Sequence, residues 1–442
     1  MLTTLRNAFK IKEIRQKIFF TFLMLVVVRL GCQIPVPGVL TEQFTNWFNN
    51  KMKDVGAGSG FLAAITGGSF ENMSILALNI TPYITSSILM QLLTIAIPKL
   101  EEMQKEGEEG RKKIASITRY VTVGLSLIES TAMAVSFKNG NLLQEGTVLN
   151  MITVIVTLTA GSAFLMWVGE QITEHGVGNG ISIVLVINII SRIPADMATL
   201  FERFVFSQKN TAVAIVAAVI IIAIIAGIVV LVIILSDGIR KIPVQYAKKV
   251  QGRKMVGGNS SAIPLKINTA GVIPVIFASS LLQLPGIIVG FFDVQVSSKF
   301  WAGVLNTFNS TRWLNPQEPV YSIGLVIYIL LVIFFAYFYT SITFNPMEVA
   351  ENMKKSGGFI PGIRPGKPTS DYLSQVLKYI IFIGATGLTI ICIIPYLFNG
   401  WLGASVSFGG TSLIIIVSVI LETIKQIESQ MVVRNYKGFL ND

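Results

Sequence analysis

The chain has 442 residues, 52% of them hydrophobic and only 13% charged, with a formal net charge of +11. Soluble domains usually carry about 25% charged residues, so an ordinary soluble protein is excluded. One histidine, His175, and two cysteines, Cys32 and Cys392, give neither a disulfide framework nor a histidine–cysteine cluster with metal-ligand spacing.

Taken in chain order, residues 5–17 alternate basic and apolar side chains, with Leu5, Phe9 and Ile14 set against Arg6, Lys10 and Lys17. That pattern suits a short amphipathic helix, within residues 1–17, lying on the inner membrane face. The apolar run that follows resembles a signal peptide. Arg29 interrupts it where a cleavage site would need an apolar residue, and no small-residue site follows, so it is read as a retained first span. Ten spans are expected, near 18–37, 73–97, 114–137, 151–169, 180–194, 213–235, 269–292, 320–343, 377–398 and 409–427. The clearest is 213–235, 23 residues without a polar side chain. About 20 apolar residues suffice to cross the ~30 Å hydrocarbon core. Pro82, Pro274, Pro285 and Pro395 fall inside spans, which neighbouring helices can tolerate.

If the N-terminus is cytoplasmic and the spans alternate, 26 of the 35 lysines and arginines lie on the inner side and 8 on the outer, with Arg29 inside the first span. The positive-inside rule then places both termini in the cytoplasm. Most of the net charge is therefore topology. Two inner loops, 236–268 and 344–376, are long and basic. Charged residues within spans are few. Arg29 and Glu129 both fall in outer halves and are expected to pair structurally. Gly176, Gly178 and Gly180 form a glycine-rich turn with no preceding strand, which argues against a dinucleotide site. A serine triad would have to run through His175, in a predicted cytoplasmic turn. No catalytic residue, metal or cofactor is expected.

Polar-flanked strings in five regions, the second span with its approach counting as one, carry more specific information. Residues 67–70 read Gly-Gly-Ser-Phe and 79–88 read Asn-Ile-Thr-Pro-Tyr-Ile-Thr-Ser-Ser-Ile. Residues 164–182 run Phe-Leu-Met-Trp-Val-Gly-Glu-Gln-Ile-Thr-Glu-His-Gly-Val-Gly-Asn-Gly-Ile-Ser. Residues 270–280 are Ala-Gly-Val-Ile-Pro-Val-Ile-Phe-Ala-Ser-Ser, 361–367 are Pro-Gly-Ile-Arg-Pro-Gly-Lys, and 409–413 are Gly-Gly-Thr-Ser-Leu. In this order the strings resemble the SecY family of bacterial protein-conducting channels, and the likeness runs from the first span to the C-terminal tail.

The resemblance implies an all-α membrane protein. Ten transmembrane helices would form two inverted pseudo-symmetric halves, 18–200 and 201–428, around an hourglass pore with a plug helix, followed by a cytoplasmic tail, 429–442. It implies a pore ring at Ile80, Ile84, Ile181, Leu185, Ile276 and Ile415. It places the plug at about 59–70, with Phe61, Leu62 and Ile65 as its apolar side chains and glycines as hinges. A plain extracellular loop is the alternative for that segment. A lateral gate toward lipid is implied between the second and seventh spans, at Thr85, Ser86, Ser87, Gln91, Ser279, Ser280 and Gln283. Asn79 stands where a small residue such as glycine is expected. It either loosens the seal or faces a neighbouring helix.

The implied function is that of a passive channel, with no enzymatic activity of its own. It moves unfolded secretory proteins across the bacterial plasma membrane and releases membrane-protein segments bearing signal sequences into the lipid. The implied partners are SecE and SecG subunits, the SecA motor ATPase and the ribosome. The last two would dock on Arg240, Lys248, Lys249, Arg253, Lys254, Arg364 and Lys367. Two readings from other classes lack their parts: a secondary transporter needs a cluster of in-membrane charges, and a membrane-embedded enzyme needs a nucleophile with its base. An accessory paralogue serving a few exported substrates stays open at this stage.

Overall fold

The computed structural model describes residues 6, 8–55, 66–207, 211–246, 249–251, 254–256, 260–292, 299–309, 313–314, 319–401 and 410–438. The first half contains α1 (Lys12–Gly31), α2 (Thr41–Val55), α3 (Thr81–Ala96), α4 (Pro98–Lys105), α5 (Glu108–Asn139), α6 (Val148–His175) and α7 (Gly180–Phe201). The second contains α8 (Thr211–Asp237), α9 (Ile273–Phe292), α10 (Lys299–Phe308), α11 (Ile323–Thr343), α12 (Pro346–Lys355), α13 (Lys367–Trp401) and α14 (Gly410–Gly438). Each of the ten expected segments is occupied by one helix: α1, α3, α5 to α9, α11, α13 and α14. Among the described residues, six helices are long and apolar enough to cross a membrane, or seven if α3 and α4, bent by 100°, are one span.

Within the first half α5 packs on α3 and α6, and α1 on α6 and α7. Within the second, α9 packs on α11, α11 on α13, and α14 on α8 and α13. The halves meet where α7 lies against α14, where α5 lies against α9 and, more lightly, where α2 touches α9.

Helix packing within the first half needs close approach, and small side chains provide it. Thr118, Thr122, Ser126 and Ser130 are spaced four apart, so one face of α5 carries a buried hydroxyl ridge. Thr122 Oγ1 lies 2.5 Å from Ser86 Oγ on α3, and Ser130 Oγ lies 2.9 Å from Thr159 Oγ1 on α6. Such bonds contribute about 0.6–2 kcal/mol each inside a membrane. The α6–α7 turn is tighter still. A Cβ at Gly180 would stand 1.9 Å from the Gly169 carbonyl oxygen. Gly180→Ala is therefore expected to cost about 1–3 kcal/mol through overpacking. A lowered unfolding temperature in detergent would report it, and an unchanged one would contradict the packing.

Three differences from the sequence reading have identifiable causes. Residues 12–17 do not form a separate surface helix, because α1 runs unbroken from Lys12 into the first span. The second span starts at Thr81 and not near 73. Residues 67–80 are an apolar but non-helical strap, with positive φ at Gly67, Gly68, Met73 and Asn79. The strap is held by strand-like bonds, Val36 N to Met73 O and Ile75 N to Ile34 O, both 2.9 Å. Its hydrophobes Met73, Leu76, Leu78 and Ile80 are buried.

The third difference is a β-sheet where the sequence suggested only basic loops. β1 (Ile239–Tyr246) is central, with β4 (Ser260–Lys266) on one side and β5 (Gly358–Phe359) on the other, all antiparallel. β2 (Lys249–Gln251) and β3 (Lys254–Val256) form a separate hairpin between β1 and β4. Ile242 pairs with Ile263, and Gln245 with Phe359. Ile242, Val244, Leu265, Met353, Ile360 and Leu373 share one core, so loops 236–268 and 344–376 are one folded unit. Leu373→Ala is expected to cost about 2–5 kcal/mol there. Faster protease cleavage in both loops would reveal the loss, and cleavage in one loop alone would refute the shared core.

Candidate functional site

The six expected ring residues come from α3 with its approach, α7, α9 and α14, and they converge. Ile80 and Leu185 are buried in one cluster that Ile84 and Ile181 flank. Ile276 and Ile415 are buried in a second cluster with Val186 and Ile189, which Ile84 also joins. Ile84 and Ile183 belong to both, so the two clusters join through shared side chains at the seam of the halves. Ile80 lies just before α3, yet the Ile84 N–H donates to its carbonyl at 3.0 Å, preserving the one-turn spacing. Sequence reasoning missed Ile183, Val186, Ile189 and Val272. Their signal was present in the one-turn spacing of Val186 and Ile189 from Ile183 and Leu185, but every residue there is apolar.

Asn79 is buried, has φ +52°, and its Oδ1 accepts from the Ile80 N–H at 2.8 Å and from Asn188 Nδ2 of α7 at 3.2 Å. It therefore faces a neighbouring helix, the second of the two expectations.

The plug side chains Phe61, Leu62 and Ile65 lie outside the described residues. The described remainder of that segment, 66–70, enters the strap. On α3 the gate candidates Thr85 and Gln91 are exposed and Ser87 is half-buried. Ser86 is fully buried and bonded to Thr122 of α5. On α9, Ser279 is buried and Ser280 half-buried, and the Gln283 side chain lies outside the described residues.

Three of the docking candidates, Arg240, Arg364 and Lys367, fall on the sheet unit. Arg240 is exposed at the start of β1, and Lys367 is exposed at the start of α13. Arg364 projects from a turn flanked by Gly362 and Gly366, at φ +84° and +105°, and its carbonyl accepts from Thr369 Oγ1 at 2.9 Å. Left-handed backbone there suits glycine at both positions. Lys249 and Lys254 lie on the β2–β3 hairpin, whereas Lys248 and Arg253 lie outside the described residues.

The expected Arg29–Glu129 pair does not form. α1 packs chiefly on α6 and α7, and Arg29 Nη1 reaches the Gly67 carbonyl at 3.5 Å. The ion pairs that tie elements together are Arg119 with Glu170, Lys425 with Asp237, and a bidentate pair of Arg192 with Glu71. Cys32 and Cys392 are free, buried thiols. His175 stands beside Phe20, ring centroids 6.0 Å apart, in an open cleft of about 630 Å³. No cluster of three potential metal ligands occurs among the described residues.

Comparison with known proteins completes the picture. The family model for SecY matches residues 74–424. The chain is 42% identical to the protein translocase subunit SecY of Streptomyces scabiei and 42% identical to that of Bacillus subtilis strain 168, over the whole of each chain. It is similar in fold to a solved structure of a protein-conducting channel, with TM-score 0.65 at 20% identity, covering 95% of this chain and 93% of that one. It is also similar to Sec61 in the canine ribosome–channel complex from the endoplasmic reticulum, with TM-score 0.60 at 18% identity, covering 95% and 93%.

Proposed function

The chain belongs to the SecY family, and from that membership we propose that it is the protein-conducting pore of a Sec translocon, a multi-pass membrane channel without enzymatic activity. The observation that carries the reading is the neck: apolar side chains from four elements of both halves meet at one seam. A constriction of this kind holds back ions by dewetting. Stripping an ion of water in such a neck costs on the order of tens of kcal/mol. A polypeptide can part the helices and keep its own side chains against the ring.

On this reading Ile80, Ile84, Ile181, Leu185, Ile276 and Ile415 form the ring, and residues 59–70 form the plug on its outer side. α3 and α9 border the lateral gate. The Ser86–Thr122 bond makes α3 and α5 move together when it opens, so the parting surface lies between that pair and α9. Ten spans would put both termini in the cytoplasm of a bacterial plasma membrane. The sheet unit, with Arg240, Arg364 and Lys367, and the neighbouring Lys248, Lys249, Arg253 and Lys254 would dock the SecA motor or the ribosome. Contact with ribosomal RNA there would be electrostatic and salt-sensitive. SecE- and SecG-like subunits complete the assembly.

Reconstitution in liposomes with SecE and SecA tests the reading. ATP-dependent protection of a secretory precursor from protease is the expected result. An inserted chain that protects no precursor would overturn it as a general translocase.

A further inference from the structure

The strap between plug and α3 is fastened to α7 at two points. At its outer end Glu71 makes the bidentate pair with Arg192, in which Nη2 lies 2.6 Å from Oε1. At its inner end Asn79 accepts from Asn188. Asn188 and Arg192 are four residues apart, so both anchors stand on one face of α7, one turn apart. Between them the backbone is in contact. A Cβ at Gly67 would stand 2.8 Å from the Asn188 carbonyl oxygen, and Ser191 Oγ reaches the Gly67 carbonyl at 3.5 Å.

The inner anchor is under tension chemically. Asn188 is 0% exposed, and its Oδ1 has no hydrogen-bond partner among the described residues. A buried unsatisfied carbonyl is unfavourable and regains a partner once water enters. The outer anchor pairs two side chains that are each 25% exposed, where a single broken partner leaves a poorly solvated charge. Arg192 Nε is likewise buried without a hydrogen-bond partner among the described residues, so each anchor carries one unsatisfied polar atom that entering water would satisfy.

We propose that Asn188 and Arg192 are positioning residues of the channel, acting through the strap to keep plug and neck in the closed arrangement. The strap must leave α7 for a polypeptide to pass. This inference rests on the channel reading with its plug. Neither residue belongs to the ring, and neither touches the proposed docking unit.

The test is ion conductance of the full chain, reconstituted with its partner subunits in planar bilayers without precursor. Glu71→Arg and Arg192→Glu are each expected to raise the resting conductance about tenfold. The double exchange is expected to restore closure, which a general packing defect in either single variant would not allow. Asn188→Leu, similar in volume, is expected to raise conductance without lowering the unfolding temperature. Deletion of residues 59–66, which leaves the strap itself intact, serves as the reference. If the deletion leaks and the single exchanges do not, the latch is wrong and the plug stands. If the deletion itself does not leak, the plug reading falls and the latch with it.

A second variant covers the case in which charge reversal prevents folding. Glu71→Cys with Arg192→Cys, bridged through disulfides by a bis-methanethiosulfonate spacer about as long as the two lost side chains, is expected to block precursor transport until reductant is added. Transport at the same rate in the bridged and reduced forms would show that the strap never leaves α7, and would overturn the proposal.

Discussion

Arg364→Glu is expected to abolish SecA-driven export while leaving the protein inserted and folded. The side chain is exposed, so reversal removes no packing. The turn that presents it is fixed independently, by Gly362 and Gly366 in left-handed backbone and by Ile360 buried in the sheet core. A reversed charge thus meets an acidic partner in the same position with the opposite sign. Losing one close charge pair at an interface costs about 2–5 kcal/mol, or roughly thirtyfold to a few thousandfold in affinity. ATP-dependent protection of precursor is the measurement, and the same variant is expected to bind SecA too weakly to detect at ordinary salt. Wild-type binding of the motor should itself weaken as ionic strength rises. Normal export by the variant would remove the docking assignment.

Deletion of residues 59–70 is expected to make membranes that contain the protein leak small ions. The proposed neck is a single apolar constriction, and a wetted constriction loses most of its barrier. A plug on the outer side would keep that water column from forming. The expected change is a resting conductance at least about tenfold above wild type, because removing even 1.4 kcal/mol of barrier corresponds to tenfold. An unchanged conductance would assign closure to the ring alone and leave 59–70 as a plain outer loop.

Much of the membrane architecture was legible because hydrocarbon imposes a length and a composition on each span. The proposed ring positions were reached for a different reason. Ile80, Ile84, Ile181, Leu185, Ile276 and Ile415 were reached through neighbouring polar strings, and no isoleucine in an apolar span announces itself. What could not be read were features in which composition and backbone disagree. Residues 73–80 look like the start of a helix, but Met73 and Asn79 take positive φ and turn the segment into a strap. The sheet escaped notice because β5 has two residues and β1 carries its alternation only at Ile242 and Val244. The Arg29–Glu129 pairing failed because depth in the membrane says nothing of azimuth: the helix that carries Arg29 packs chiefly on α6 and α7. The Asn79–Asn188 contact joins positions 109 apart in sequence, and neither residue alone indicates the other.

The β-sheet has a mechanical consequence. β1 continues α8 across Gly238, β4 leads back to α9, and β5 leads through the Arg364 turn to α13. Ile267 N–H donates to the Gly238 carbonyl at 2.8 Å, which ties the base of the sheet together. Three helices of the second half are therefore yoked at one end, and no helix of the first half shares the yoke. A load applied at the Arg364 tip is carried as torque into α8, α9 and α13. In the proposed gate one lip, α9, sits on that lever, and the other, α3, is held through α5 to the first half, so a motor docked at the sheet would pull against a fixed jaw.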